Sequence, residues 1–253
     1  MKIIECVPNI SEGKNKHTID GIAAALTAIS GVRLLDICTD ADHNRTVFTF
    51  IGTPDNVEQG AKAACGKAID LIDMRKQSGV HPRIGAVDVV PFVPLRGATM
   101  EDAVRVAHRF GNDFGSKNKI PVYFYGEAAL NPARRELSSV RKGEYEALKA
   151  RFEDSLWKPD AGPARFNPQS GATAVGAREP LIAFNINLAS DDLEVAKKIA
   201  ISVRQSSGGL PHVKAIGVPL KSRDIVQVAM NGFSVGTGFR DGSQYQSGFF
   251  AFG

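Results

Sequence analysis

The chain has 253 residues, with 31 Lys and Arg against 27 Asp and Glu and a formal net charge of +4. That length fits one large domain or two small ones with ample core, and no apolar run approaches the ~20 residues of a membrane span. The basic excess is mild and interleaved with acids, without the concentrated stripe or the alternating aromatic partners that nucleic-acid binding calls for.

The N-terminal Met1-Lys2-Ile3-Ile4-Glu5 passes straight into a strand and carries an early acid, unlike a secretory signal. Lys2–Pro8 reads as that strand. Pro8-Asn9-Ile10-Ser11-Glu12-Gly13 reads as a turn of breakers and capping residues. Asn9 and Glu12 either shape a site there or cap the helix that follows. Ile19, Ile22, Ala23, Leu26 and Ile29 then recur at helical spacing, with Gly31 as a stop. Val32–Cys38 and Arg45–Ile51 read as strands. Thr53 caps a helix with Pro54 at its first position. Ile84–Val93 is a further strand, Thr99 with Asp102 forms a capping box for a helix, and Ile120–Tyr125 is another strand. Cys6, Cys38 and Cys65 lack metal-ligand spacing and read as reduced thiols of a cytosolic protein.

Residues 132 to 180 are rich in Pro, Gly, Arg and Asn and read as a substrate-lining loop or a plain linker. A short helix is expected around Lys142–Glu153, and Trp157 is expected to anchor the segment. Leu181–Leu188 returns to strand. Ser190 is expected to cap the next helix, and Gly208-Gly209 to end it. Val213–Val218 and Ile225–Met230 complete the pattern. The order βαββαβ from Lys2 to Val93 is followed from Leu181 by βαββ. The expected fold is therefore an α/β (α+β sandwich) protein of two βαββαβ-type subdomains, 1–178 and 179–253, with mixed sheets and helices on the outer faces. The second subdomain reads as truncated. Its Gly/Phe-rich tail, residues 232–253, reads as a disordered end, a frameshifted frame or a divergent pair of edge strands.

His81 lies in Val80-His81-Pro82-Arg83-Ile84-Gly85-Ala86-Val87-Asp88, between a polar stretch and an apolar strand. Pro82 stiffens this loop and biases His81 toward extended backbone. An imidazole so held suits proton transfer near neutral pH. Arg45, Arg83 and Arg178 are candidate carboxylate partners through their guanidinium forks, or else structural arginines pairing with Asp and Glu. Glu127 reads as a loop-ordering group rather than a second acid or base. His17, His43, His108 and His212 are scattered without metal-ligand spacing, and His108 reads as solvated. Neither a P-loop nor a Gly-x-Gly-x-x-Gly pattern occurs.

These residues resemble the glutamate formimidoyltransferases. The resemblance is carried by Glu5-Cys6-Val7-Pro8-Asn9-Ile10-Ser11-Glu12-Gly13, Asn44-Arg45-Thr46-Val47, His81 to Asp88, Tyr123-Phe124-Tyr125-Gly126-Glu127-Ala128, Arg141-Lys142-Gly143-Glu144-Tyr145 and Ala183-Phe184-Asn185-Ile186-Asn187-Leu188. The matches run collinearly from residue 2 to about residue 231. The resemblance implies transfer of a formimino group from N-formimino-L-glutamate to N5 of tetrahydrofolate in histidine degradation, with tetrahydrofolate as co-substrate and no metal. It implies two α/β subdomains with folate in a tunnel between them, and His81 as the catalytic residue. It also implies folate contacts from Gly162 to Gly171, thus Gly162, Pro163, Arg165, Phe166, Ser170 and Gly171, with a second stretch at Ile201–Leu210. Asn9, Arg45, Arg83 and Arg178 are the further substrate-binding candidates. The partners implied are small molecules, with no nucleic acid and no membrane, in the cytoplasm. The family tends to dimerise, so a homodimer is a candidate state. Two other readings stay open at this stage. One is a folate-binding remnant with impaired catalysis; the other is the same transfer from a formyl or formiminoglycine donor.

Overall fold

A computed structural model describes residues 1–154, 157–211, 213–220 and 223–233. The chain divides into two compact units, Met1–Glu179 and Pro180 onward. Each is described by itself.

In the first unit, β1 (Ile4–Cys6) and β2 (Asn9–Ile10) follow one another between β4 (Arg45–Gly52) and β5 (Val87–Pro94), antiparallel to both. Asn9 and Ile10, expected in a turn, thus belong to the sheet. Their pairing with β4 and β5 supplies backbone partners that the flanking Pro8 and Ser11 did not advertise. β3 (Val32–Asp40) lies outside β4. On the other side, β7 (Thr173–Ala177) runs parallel to both β5 and β6 (Val122–Gly126) and separates them.

The helices α1 (Lys16–Thr27), α2 (Pro54–Leu71) and α3 (Met100–Asn118) pack on one face of this sheet. Their buried stripes meet Phe48, Phe50, Phe92, Val122, Phe124 and Val175. The caps follow from local chemistry. Asn15 and Thr53 accept from the backbone N–H groups of Thr18 and Asn56, and Thr99 and Asp102 form a reciprocal capping box.

The other face of β5, β7 and β6 carries α4 (Leu137–Val140), α5 (Glu144–Arg151) and the chain around Trp157. Helices therefore cover both faces here. Trp157 sits edge-on to Tyr123 at 6.4 Å, and the Arg151 guanidinium lies 3.5 Å from its ring centre. A central strand, β7, thus emerges from residues 132–180, which read as loop or linker. Its residues Thr173-Ala174-Val175-Gly176-Ala177 are all buried and mostly small. A strand buried on both faces shows no period-2 alternation. At Gly176 an added Cβ would stand 2.5 Å from the Tyr125 ring, so this slot between bulky neighbours requires a small residue.

The second unit contains β8 (Leu181–Leu188), α6 (Leu193–Val203), β9 (Val213–Leu220) and β10 (Ile225–Phe233). The strand order is β8-β10-β9 and both pairings are antiparallel, which corrects the expected mixed sheet. Ala196 and Ala200 of α6 pack on Ala215, Val226 and Val228. Asp192, not Ser190, caps α6. Its carboxylate accepts from Glu194 N, while the Ser190 hydroxyl accepts from Asp192 N one step earlier. The helix ends at Val203, before Gly208-Gly209, and a short 3-10 turn separates them. The expectations for the tail beyond Phe233 and for His212 lie outside the described residues. No helix among the described residues is long and apolar enough to cross a membrane.

Candidate active site

The site is assembled from the ends of neighbouring strands in the first unit. Ser11, after β2, donates its hydroxyl to Gly85 O at 2.7 Å and its backbone N–H to Ala86 O at 2.9 Å. Glu12 caps the helix that follows, one of its two sequence readings. One carboxylate oxygen accepts from the backbone N–H groups of Lys14 and Asn15 at the head of α1. The other accepts from Gln77 Nε2 at 3.0 Å. Asn9 donates to Val7 O and stands directly opposite Val47, on the same face as Arg45.

The turn between β3 and β4 is fixed by Asn44. Its backbone is left-handed, with φ 48°, a conformation Asn tolerates better than most residues. Its side chain accepts from Gly13 N at 2.9 Å and donates to Gln77 Oε1 at 2.5 Å and Ser78 O at 2.9 Å. Gly13 must be glycine for this closure, since a Cβ there would lie 2.1 Å from Asp40 O.

A small pocket is lined by Ser11, His43, Asn44, Arg45, His81, Arg83 and Asp88. Arg45 Nη1 lies 2.5 Å from His81 Nε2. A guanidinium can only donate, so Nε2 accepts and the ring proton is assigned to Nδ1. Burial lowers the His81 pKa, and the charges of Arg45 and Arg141 push it further, to about 2. His81 is therefore neutral in this state across the physiological range. The His43 ring stands edge-on to it, with centres 5.9 Å apart, and His43 Nδ1 is 2.9 Å from Asp40 Oδ2.

Asp88, 2 % exposed within an apolar strand, accepts from Ile84 N at 2.9 Å and pairs with Arg141. Arg141 Nε is buried without a hydrogen-bond partner among the described residues. Neither Arg141, Asp88, His43 nor Asn44 was singled out by sequence. An acid in the run Ala86-Val87-Asp88-Val89-Val90 was the available signal, because a charge is kept in such a strand only with a partner.

The other sequence candidates are distributed unevenly. Arg83 lines the pocket, but its charge is engaged by Glu144 at 3.1 Å and Glu146 at 2.7 Å, which tie its loop to α5. Ser170 and Gly171 adjoin the same loop: Ser170 O accepts from Ala86 N, and Ala172 N donates to Ile84 O. Gly171 has φ 69°, and a Cβ there would meet Ile84 O at 2.2 Å. Phe166 packs on Tyr145, and Arg165 is exposed. Gly162, followed by Pro163, lies against Ile120 O. Arg178 is elsewhere: its backbone N–H donates to Phe92 O and its guanidinium to Glu179 O, whereas the His81 loop joins β5 at Val87. His108 is half-buried rather than solvated, 2.8 Å from Ala128 O and edge-on to Phe124. Glu127 pairs with Arg135, in keeping with a loop-ordering role. Cys6 and Cys65 are buried and Cys38 partly so, all as free thiols. No group of three or more metal-ligating side chains occurs among the described residues.

Residues 3–178 match the family model described as the formiminotransferase domain, N-terminal subdomain. The chain belongs to the formiminotransferase family. It is 44% identical over 230 residues to a protein from Streptococcus pyogenes named glutamate formimidoyltransferase, covering 91% of this chain and 77% of that one. It is 42% identical over 233 residues to a protein of the same name from Thermoplasma acidophilum, with the same two coverages. It is 46% identical over 236 residues to formimidoyltransferase-cyclodeaminase from Rattus norvegicus, covering 91% of this chain but only 43% of that protein's length. The formiminotransferase match places the whole His81 pocket within the matched segment.

Proposed function

We propose that the protein is a glutamate formimidoyltransferase that moves the formimino group of N-formimino-L-glutamate to N5 of tetrahydrofolate. The observation that carries this reading is a half-buried imidazole hydrogen-bonded to the Arg45 guanidinium in a small pocket, in a chain of the formiminotransferase family. The donor is an amidine whose electrophilic carbon is flanked by two nitrogens. Attack by N5 forms a C–N bond and a tetrahedral centre. The attacking nitrogen must lose a proton, and the glutamate nitrogen must gain one before its C–N bond breaks. Neutral His81 can take the first and return the second. Such transfer contributes roughly 10²–10⁴-fold in rate.

Arg45 and Arg141 supply the positive field for the substrate carboxylates. Arg83, already paired with two glutamates, acts chiefly by holding its loop against α5. Asn9, Ser170 and Gly171 lie on strands or turns adjoining this loop. Gly162, Pro163, Arg165 and Phe166 are assigned to folate contact on the resemblance alone, and Arg178 remains a carboxylate-binding candidate on its guanidinium chemistry. Residues 1–178 and 179–253 would form the two transferase subdomains, acting on small molecules in the cytoplasm as a monomer or homodimer.

His81→Asn should cut turnover at least ~10-fold while retaining most tetrahydrofolate affinity by calorimetry. Wild-type turnover in that variant would remove His81 from the chemistry. Tetrahydrofolate binding by the wild type without any transfer would instead favour the impaired remnant.

A further inference from the structure

Arg45 differs from the other arginines of the pocket. Arg83 has two glutamates and Arg141 has Asp88. Arg45 is half-buried and is hydrogen-bonded to the uncharged His81 ring. Among the described residues it forms no ion pair. The two nearby carboxylates are committed elsewhere: Asp88 to Ile84 N and Arg141, Asp40 to the backbone and ring of His43. A guanidinium withdrawn from water without an anion is costly and gains strongly from a carboxylate. Meanwhile its present hydrogen bond occupies the lone pair that a base must use.

We propose that Arg45 is a carboxylate-operated latch on His81: the carboxylate of the bound amino-acid donor draws the guanidinium off Nε2 and frees that nitrogen for proton transfer. This rests on reading the pocket as a formimidoyl-transfer centre. Swapping a neutral acceptor for a charged one favours the release. The carboxylate also offsets the nearest positive charge, so the imidazole becomes easier to protonate. Tetrahydrofolate bound alone leaves the base capped, which confines proton transfer to the complex holding both substrates.

The groups facing His81 are Arg45 from β4, His43 from the β3–β4 turn with Asp40 at the end of β3, Asp88 from β5 and Arg141 from the turn before α5. Arg83 faces it from its own loop, paired with Glu144 and Glu146. Of these three arginines, Arg45 is the one without a carboxylate partner among the described residues.

The test follows the His81 ring nitrogens by 15N NMR in the wild-type full chain, with His81→Asn assigning the signals. L-glutamate, the product bearing the same carboxylates, should raise the His81 titration midpoint by at least one pH unit, and tetrahydrofolate alone should not. In kinetics, Arg45→Gln should lower kcat/KM for the donor at least about tenfold. It should also bring an acid limb into the pH profile of kcat/KM that the wild type lacks, because the free-enzyme imidazole then titrates closer to 6.5. Unchanged His81 signals at saturating L-glutamate, with saturation shown by calorimetry, would overturn the latch even if transfer activity is intact. Failure of L-glutamate to bind would do the same. A shifted His81 without any transfer would overturn the activity instead. The wild-type titration decides the question if Arg45→Gln fails to fold.

Discussion

Asn44→Ala removes the side chain that joins three loops around His81. The buried Gly13 N–H loses its acceptor, which costs ~1–3 kcal/mol for an orphaned donor. The bonds to Gln77 and Ser78 add ~0.5–1.5 kcal/mol each. Alanine at φ 48° also carries a left-handed penalty of roughly 1–2 kcal/mol that glycine avoids. The expected loss is therefore about 3–8 kcal/mol, a large part of a stability that is typically ~5–15 kcal/mol. Asn44→Gly loses the same hydrogen bonds but not the left-handed penalty, so it should be more stable than Asn44→Ala by about 1 kcal/mol. Urea denaturation of the full chain measures the difference, and amide exchange at Gly13 reports whether its protection disappears. An Asn44→Ala variant within about 1 kcal/mol of wild type, with Gly13 still protected, would refute the reasoning. Turnover should fall as well, because Asn44 holds the Gln77–Ser78 segment that leads to His81.

Arg134 and Asp160 form an ion pair at 2.8 Å beneath Trp157, with both side chains about nine-tenths buried, and Asp160 also accepts from Phe124 N. Asp160→Ala should cost ~3–5 kcal/mol, since it removes the charge partner of a buried guanidinium and the acceptor of a strand N–H; a urea midpoint close to wild type would contradict this. Asp102 accepts from Lys2 Nζ and Thr99 N, which hold its carboxyl well below the usual carboxylate range. A lowered folded pKa gives stability that is complete above the unfolded value of ~3.9 and is lost as pH falls through the folded one. The difference in melting temperature between wild type and Asp102→Asn should therefore narrow below about pH 4, and parallel curves would exclude that role.

The amphipathic helices and their caps were legible because their signals are local. Pro54 after Thr53 and the Thr99–Asp102 box specify helix starts whatever surrounds them. The alternating strand β4 was equally plain, since one face meets the core and the other does not. His81 could be picked out because Pro82 and the strand beyond it hold an imidazole at a strand entrance, and the family resemblance strengthened that choice. Strand β7 was not legible: its small residues carry no alternation, and its place depends on Gly176 fitting beside Tyr125.

Most helices, their caps, the alternating strands, the family and the choice of His81 as a candidate were readable in the chain, because propensity, capping and motif order are properties of neighbouring residues. The surroundings of His81 come from packing between distant parts of the chain. His43 and Arg45, Asp88, and Arg141 reach the His81 pocket from three separate segments. Whether a guanidinium is paired, as Arg83 is, or has no ion pair among the described residues, as with Arg45, depends on which carboxylates the packed chain brings within reach.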